Sequence, residues 1–338
     1  MPSANGGVSM AKDILKFIKK CDVIFSNGQD VLVGGVHLWL FRADGEFVKK
    51  VLPIRWPCKA VFIPNRTALV EGAGDCAYYY LDLKTGEILW ITKKKLRRSG
   101  ETNRFVVSPD GSTVYNLFYA YQGKTMCLHA ERIIPAMHTH DIFPVKEPLN
   151  LTEGGLCITA DLFCDSEGTL CALLHKNITR YEDYDYPETP KAIIHYGILA
   201  LPFQGAAPRP YWKRHWQAEQ AERYNPIRAC DGRYILREDL SVFDMESQNS
   251  FFLVSESERQ SLPPCCFRYF YDPERFLLTL WRLDDGQNVV IDCKSRKLLG
   301  RYLRENGIDA PGYGGCLVGN EFWRGTPDGV VRYPFPNV

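Results

Sequence analysis

Residue types that could do chemistry are few in this chain, and they are scattered. His138, Thr139, His140 and Asp141 form its one dense His/Asp cluster. Two histidines at i and i+2 on a strand share a face and could hold a metal ion. No third ligand follows from spacing, however, and an exposed outer strand accounts for them as well. The vicinal pair Cys265 and Cys266 could be redox-active or inert. Asp284 and Asp285 lie in LDDGQN, which reads as a hairpin loop. GxSxG, HExxH, P-loop and GxGxxG patterns are all missing. No catalytic residue is named, no metal or other cofactor is expected, and enzymatic activity stays open.

A more specific signal is positional. Lys59, Arg104 and Arg268 each stand five residues before a proline, namely Pro64, Pro109 and Pro273. Arg228 occupies the matching place before a shorter turn, and Asp22 and Asp161 fall close to it in two further segments. Converging cations suit a carboxylate, a phosphate or an acidic peptide. Salt bridges to Asp22 and Asp161 are the alternative. A polar, acidic stretch over residues 176–193, KNITRYEDYDYPETPKAI, carries Tyr181, Tyr184 and Tyr186. These tyrosines would offer rigid amphipathic contact area to a partner. Lys93, Lys94, Lys95, Arg97 and Arg98 form a single basic run, read as a charged outer strand end.

Composition narrows the partners. The 338 residues carry 41 basic and 40 acidic groups, a net charge of +1, so no global field steers the chain to nucleic acid or an anionic membrane. Hydrophobic residues make up 45%, enough for a large core. No apolar run is long enough for a signal peptide or a membrane span. The 12 cysteines include no CxxC pair. Cys76, Cys127, Cys157, Cys171 and Cys293 sit in apolar runs and read as small hydrophobes. A reducing, cytoplasmic location is expected.

The elements that must position these residues are short strands. A strand–turn–strand unit recurs, clearest in RFVVSPDGSTVYNLF (104–118), with turns near residues 28, 65, 110, 166, 231, 273 and 319. Proline presets φ in such turns and glycine tolerates positive φ. A second turn, with Asp at a strand end, recurs in YLDLKTGEILWI, VIDCKSRKLLG, LFRADGEFVKKV and VFDMESQNSFFLV. Each unit therefore reads as four strands, a to d. The last unit lacks its d strand, which DILKFIKK (13–20) is able to supply from the N-terminus.

VVSPDGSTVY and YLDLKTGEILW resemble WD40-type and YVTN-type β-propeller repeats, although the chain has no Trp-Asp or Gly-His pair. The resemblance implies an all-β fold: a seven-bladed β-propeller of four-stranded antiparallel blades, with the N-terminal strand closing the last blade. A single domain is expected over residues 1–338, residues 1–11 forming a disordered tail. In such a fold Lys59, Arg104, Arg228 and Arg268 would stand at a channel mouth. The tyrosine-rich segment would lie between strands b and c, on the same loop-rich face.

Two functions follow. One is an interaction scaffold that binds a protein partner through that face, with Tyr181, Tyr184 and Tyr186 in contact. The other is a binder, hydrolase or lyase of a small anionic ligand at the four basic residues. A monomer is expected, without membrane or nucleic-acid partners.

Overall fold

The computed structural model describes residues 13–14, 18, 21–94, 96, 98–101, 105–123, 125–145, 158–165, 167–178, 193–204, 207–219, 226–230, 234–237, 240–244, 247, 249–260, 267–272, 277–282, 288–293, 295–302, 315–326 and 329–334. Strands dominate them. β1 (Asp13–Ile14) is followed by one four-stranded meander, β2 (Val23–Ser26), β3 (Asp30–Gly34), β4 (His37–Arg42) and β5 (Phe47–Arg55). A second comprises β6 (Pro57–Ile63), β7 (Thr67–Gly72), β8 (Ala77–Asp82) and β9 (Ile88–Lys93). The third unit contains β10 (Arg98–Glu101), β11 (Val106–Val107), β12 (Val114–Gln122), β13 (Thr125–Ile134) and β14 (Thr139–Val145). The fourth has β15 (Ile158–Cys164), β16 (Leu170–Ile178), β17 (Ile193–Leu201) and β20 (Tyr211–Glu219), with a two-stranded ribbon, β18 (Phe203–Gln204) and β19 (Ala207–Pro208), before its last strand.

Three further sheets complete the set. The first holds β21 (Pro226–Cys230), β22 (Tyr234–Arg237), β23 (Ser241–Asp244) and β24 (Asn249–Phe252), after which comes a short helix, α1 (Glu256–Gln260). The next holds β25 (Phe267–Asp272), β26 (Leu277–Arg282), β27 (Asn288–Asp292) and β28 (Lys297–Tyr302). The last holds β29 (Gly315–Val318), β30 (Glu321–Thr326) and β31 (Gly329–Pro334). β1 pairs with β31, Asp13 opposite Arg332 and Ile14 opposite Val331, so the N-terminal strand completes this sheet as expected.

Six four-stranded antiparallel blades are thus present among the described residues, rather than the seven expected; the third unit is a five-stranded sheet. The physical reason lies in its first position. β10 and β11 both pair with β12, opposite Phe118–Ala120 and Val114–Tyr115 respectively, so two short strands share one edge.

Turn chemistry explains where strands stop. Gly28, Gly111, Gly168 and Gly319 take positive φ in four of the a–b turns. Asn65 and Arg66 adopt left-handed φ in a fifth. In the c–d turns Asp44, Asp82 and Asp292 accept the backbone N–H of Glu46, Lys84 and Ser295 at 2.9, 2.6 and 3.2 Å.

The chain divides into two compact units, one of Met1–Lys93, Glu238–Ser241 and Phe251–Val338, the other of Lys94–Arg237 and Val242–Ser250. In the first, the period-2 alternation of β3 sends Leu32 toward Ala68, Val70 and Leu81, and Val31 and Val33 toward Cys316, Val318 and Trp323. All five residues of β3 are buried. Gly325 has no room for a Cβ because the Cys21 backbone carbonyl lies against it. In the second unit Leu117, Tyr119 and Leu128 meet Leu162, Ala172 and Leu199 on one face of the fourth sheet, and Phe163, Cys171 and Leu173 meet Ile235 on the other.

Polar clamps join neighbouring sheets within a unit. The fully buried Asp30 carboxylate accepts from Arg42 of its own sheet and from Arg66 of the next, whose Nη2 lies at 2.7 Å. Arg42 also donates to the Leu83 and Lys84 carbonyls at 2.7 and 2.9 Å. Within the fourth sheet, burial alone would push the Asp165 carboxyl up, but Lys213 at 2.7 Å and the Thr169 and Glu167 N–H groups outweigh it and hold the group below its ordinary value.

Asp30→Ala should lower the unfolding free energy by about 2–3 kcal/mol, since two partly buried guanidinium groups lose their acceptor; a urea titration reads this as a lower midpoint at unchanged slope. A depressed carboxyl pKa adds stability above its unfolded value near 4 that disappears as pH falls through the folded value. Asp165→Asn should therefore flatten the loss of stability below about pH 4, measured by melting temperature against pH.

Candidate functional site

The aligned positions are structurally equivalent in three sheets. A β-bulge interrupts the first strand between Pro57 and Lys59, between Thr159 and Asp161, and between Pro226 and Arg228. A bulge re-aims the side chain that follows it. Lys59 is buried, and its ammonium lies 3.7 Å from Glu71 Oε2 on the neighbouring strand of the same sheet. Asp161 is buried as well. Arg228 and Arg268 lie on β21 and β25, opposite Leu236 and Trp281, with only their backbone described. Arg104 and the tyrosines Tyr181, Tyr184 and Tyr186 lie outside the described residues, as do Cys157, Cys265, Cys266, Asp284 and Asp285. Lys176 to Ile178 belong to β16, so the segment between β16 and β17 is shorter than the sequence suggested.

The histidine cluster is split. His138 is the exposed, left-handed residue that ends a 3-10 turn, whereas His140 on β14 is buried. His140 Nε2 lies 2.6 Å from Glu131 Oε1, which also accepts from Arg98 Nη2 at 2.7 Å; Asn116 Nδ2 donates to Glu131 Oε2 at 3.0 Å. The exposed outer strand and the basic strand end expected here are corrected at these two residues. A buried carboxylate needs compensating partners, and Arg98 supplies the charge while His140 and Asn116 add hydrogen bonds. No group of three or more His, Cys, Asp and Glu residues is arranged to hold a metal among the described residues. Cys76 is also corrected: it is exposed, in a turn, at φ 48°. Cys171 does behave as a buried hydrophobe, its thiol pushed up to about 12 by burial and then by Asp165.

Sequence reasoning missed a surface in the first unit. Trp56, in the d–a connection between β5 and β6, is 43% exposed and adopts φ 50°. It directly precedes Pro57, a position that disfavours all but extended backbone. Two connections hold it there. Its N–H donates to the Val36 carbonyl at 3.3 Å, and its carbonyl accepts from Ala73 N at 2.9 Å, so both neighbouring b–c turns grip it. The Trp56 ring packs beside Gly74, where an added Cβ would stand 3.1 Å from Cδ1. Leu52 is 60% exposed and Val36 37%, and Cys58 and Cys76 are exposed too. Tyr79 braces the patch from below, donating to Asp75 Oδ2 at 2.9 Å. Burial, then Tyr79's hydrogen bond to Asp75, pushes its phenol up to about 12. Arg55, the residue before Trp56, is exposed as well. Burial and then the Lys50 charge lower the basicity of His37, so this imidazole is neutral at pH 7. The signal that could have found the site is the aromatic residue placed immediately before a proline at a junction between repeats.

No protein-family model and no curated protein matches the chain. Solved structures do. The β-propeller domain of Cps50 (Swd1) from Myceliophteria thermophila superposes with a TM-score of 0.58 at 8% identity, over 97% of this chain and 99% of that one. The Pan2 WD40 domain of Neurospora crassa gives 0.51 at 11% identity, over 95% and 90%. Identities this low establish fold alone, and the fold is a WD40-like β-propeller. No helix among the described residues is long and apolar enough to cross a membrane.

If Trp56 serves a surface rather than the core, Trp56→Gly should leave the unfolding free energy within about 1 kcal/mol of wild type. Relief of left-handed strain, about 1 kcal/mol, offsets the lost packing of a half-exposed ring. Chemical denaturation checks this, and a loss above about 3 kcal/mol would make the indole a core residue.

Proposed function

We propose that this β-propeller, acting as one domain over residues 1–338 in the cytoplasm, is an interaction scaffold that binds a protein partner through the b–c and d–a ends of its blades. The observation that carries the reading is Trp56: a strained, half-exposed aromatic side chain held by the two turns that carry Val36 and Ala73. Backbone strain of this kind concentrates at functional positions. Tryptophan is enriched at the centres of protein interfaces. Tyr181, Tyr184 and Tyr186, in the b–c connection between β16 and β17, are proposed as partner contacts in their own right.

The test is quantitative affinity purification of the tagged full chain from its own cells. Wild type is compared with Trp56→Ala and with Tyr211→Ala, the latter changing an exposed residue at the start of a d strand. A partner that falls at least tenfold with Trp56→Ala, at an unchanged melting temperature, and stays with Tyr211→Ala supports the scaffold. If everything retained by wild type is retained equally by Trp56→Ala, this surface is not the docking site.

A further inference from the structure

One face of the β4–β5 pair grades from apolar to cationic. Phe41 stands opposite Phe47, Trp39 opposite Lys50, and His37 opposite Arg55. Residues directly opposite each other share a face, as do His37, Trp39 and Phe41 at every second position of β4. The ring contacts agree. Phe47 lies 5.5 Å from Phe41 and 6.0 Å from Trp39, and the Lys50 ammonium stands 4.9 Å over the Trp39 indole. Phe41 is buried, its ring 6.1 Å from Trp323 of the last sheet. The other members are not buried: Trp39, His37 and Lys50 are half-buried, Phe47 is 47% exposed and Arg55 is exposed. Lys49 belongs to the opposite face, where it stands across from Leu40 and packs at Gly86 of the second sheet.

No carboxylate answers these two cations. Among the described residues neither Lys50 nor Arg55 forms a salt bridge. The turn beside Arg55, whose Gly74 N–H donates to the Arg55 carbonyl, carries Asp75, but that carboxylate accepts from the Tyr79 hydroxyl at 2.9 Å. Asp44 and Glu46 stand in the c–d turn, at the far end of β5 from Arg55. The Trp39 indole holds the Lys50 ammonium in place without neutralising it. His37 registers the uncancelled field. Burial first, then the Lys50 charge, and to a smaller extent that of Arg55, lower its basicity against a hydrogen bond to the Leu52 carbonyl that raises it, and no carboxylate offsets them at this ring.

We infer that this face docks an extended acidic segment of the protein partner, in which an apolar side chain is followed at alternate positions by carboxylates. The apolar side chain packs on Phe47 and Trp39. The carboxylates meet Lys50 and then Arg55, whose guanidinium is able to take one bidentately. Same-side residues of an extended peptide repeat about every 6.6 Å, as do His37, Trp39 and Phe41 along β4. Nucleic acid is the lesser match, because half of the face is apolar and the chain carries a net charge of only +1. The inference rests on the scaffold reading and gives the partner its chemistry.

The experiment titrates the full-length protein with the synthetic peptide Gly-Phe-Gly-Glu-Gly-Glu-Gly, fluorescein-labelled, and with its glutamine counterpart, by fluorescence anisotropy. The glutamate peptide should bind at least about tenfold more tightly at low salt, with the advantage shrinking as salt rises. The double variant Lys50→Gln, Arg55→Gln should lose that advantage at an unchanged melting temperature. Lys93→Gln, which removes an exposed cation on β9, should keep it. A readout on the wild type needs no variant to fold: in protein labelled with ¹⁵N-histidine, saturation with the glutamate peptide should raise the titration midpoint of His37, because bound carboxylates offset the Lys50 and Arg55 charges. Equal binding of the two peptides, an equal loss in Lys93→Gln, or an unmoved His37 midpoint overturns the inference. So does an oligothymidylate of the same charge that binds as tightly as the glutamate peptide. Such a result beside a partner still lost in Trp56→Ala leaves the scaffold standing and removes only its acidic ligand. Peptide binding as expected beside a partner retained by Trp56→Ala keeps this face and removes the Trp56 surface.

Discussion

Burial of a sheet on both faces is the constraint from which the rest of this structure follows. β3 can be apolar throughout because its odd and even residues face different neighbours, Val31 and Val33 one sheet, Leu32 another. The fourth sheet repeats the arrangement with Leu162 and Ala172 on one side and Phe163 and Leu173 on the other. A fully buried leucine is worth about 2 kcal/mol of hydrophobic stabilisation, so each such strand contributes to two interfaces at once. One-residue slips would exchange the two faces and spoil both interfaces together.

Polar groups inside this packing are tolerated only where they are answered. Asp30 is answered by Arg42 and Arg66, and Glu131 by Arg98, His140 and Asn116. These clusters use their charge internally. A functional candidate left outside that accounting is an indole held at the surface in a strained conformation. Its backbone N–H and carbonyl are both hydrogen-bonded to neighbouring turns, which is how a stable scaffold can present a strained group.

Much of the local structure was legible residue by residue. Ser108-Pro109-Asp110-Gly111 forms a turn closed by the Gly111 N–H on the Ser108 carbonyl at 2.8 Å. The c–d aspartates bond the backbone as their positions implied. The alignment of Lys59, Asp161 and Arg228 reappears as a shared bulge. Less was legible in the third unit, where the split first strand leaves six regular blades and one five-stranded sheet. Arg98 looked like part of a solvated basic run because a run of like charge carries no mark of which member turns inward. His138 and His140 looked like one cluster because spacing alone cannot reveal that a left-handed residue separates turn from strand.

By itself the sequence determined what short-range chemistry controls: that the chain is all-β, where its strands turn, and that its ends can share a sheet. Those features depend on neighbours in sequence, on proline and glycine dihedrals and on period-2 alternation. Tertiary structure alone decided which charges are spent on one another and that Trp56 is gripped between two turns. Each of these depends on a partner brought in from another strand or turn, and that pairing is set by how whole sheets pack rather than by any local pattern.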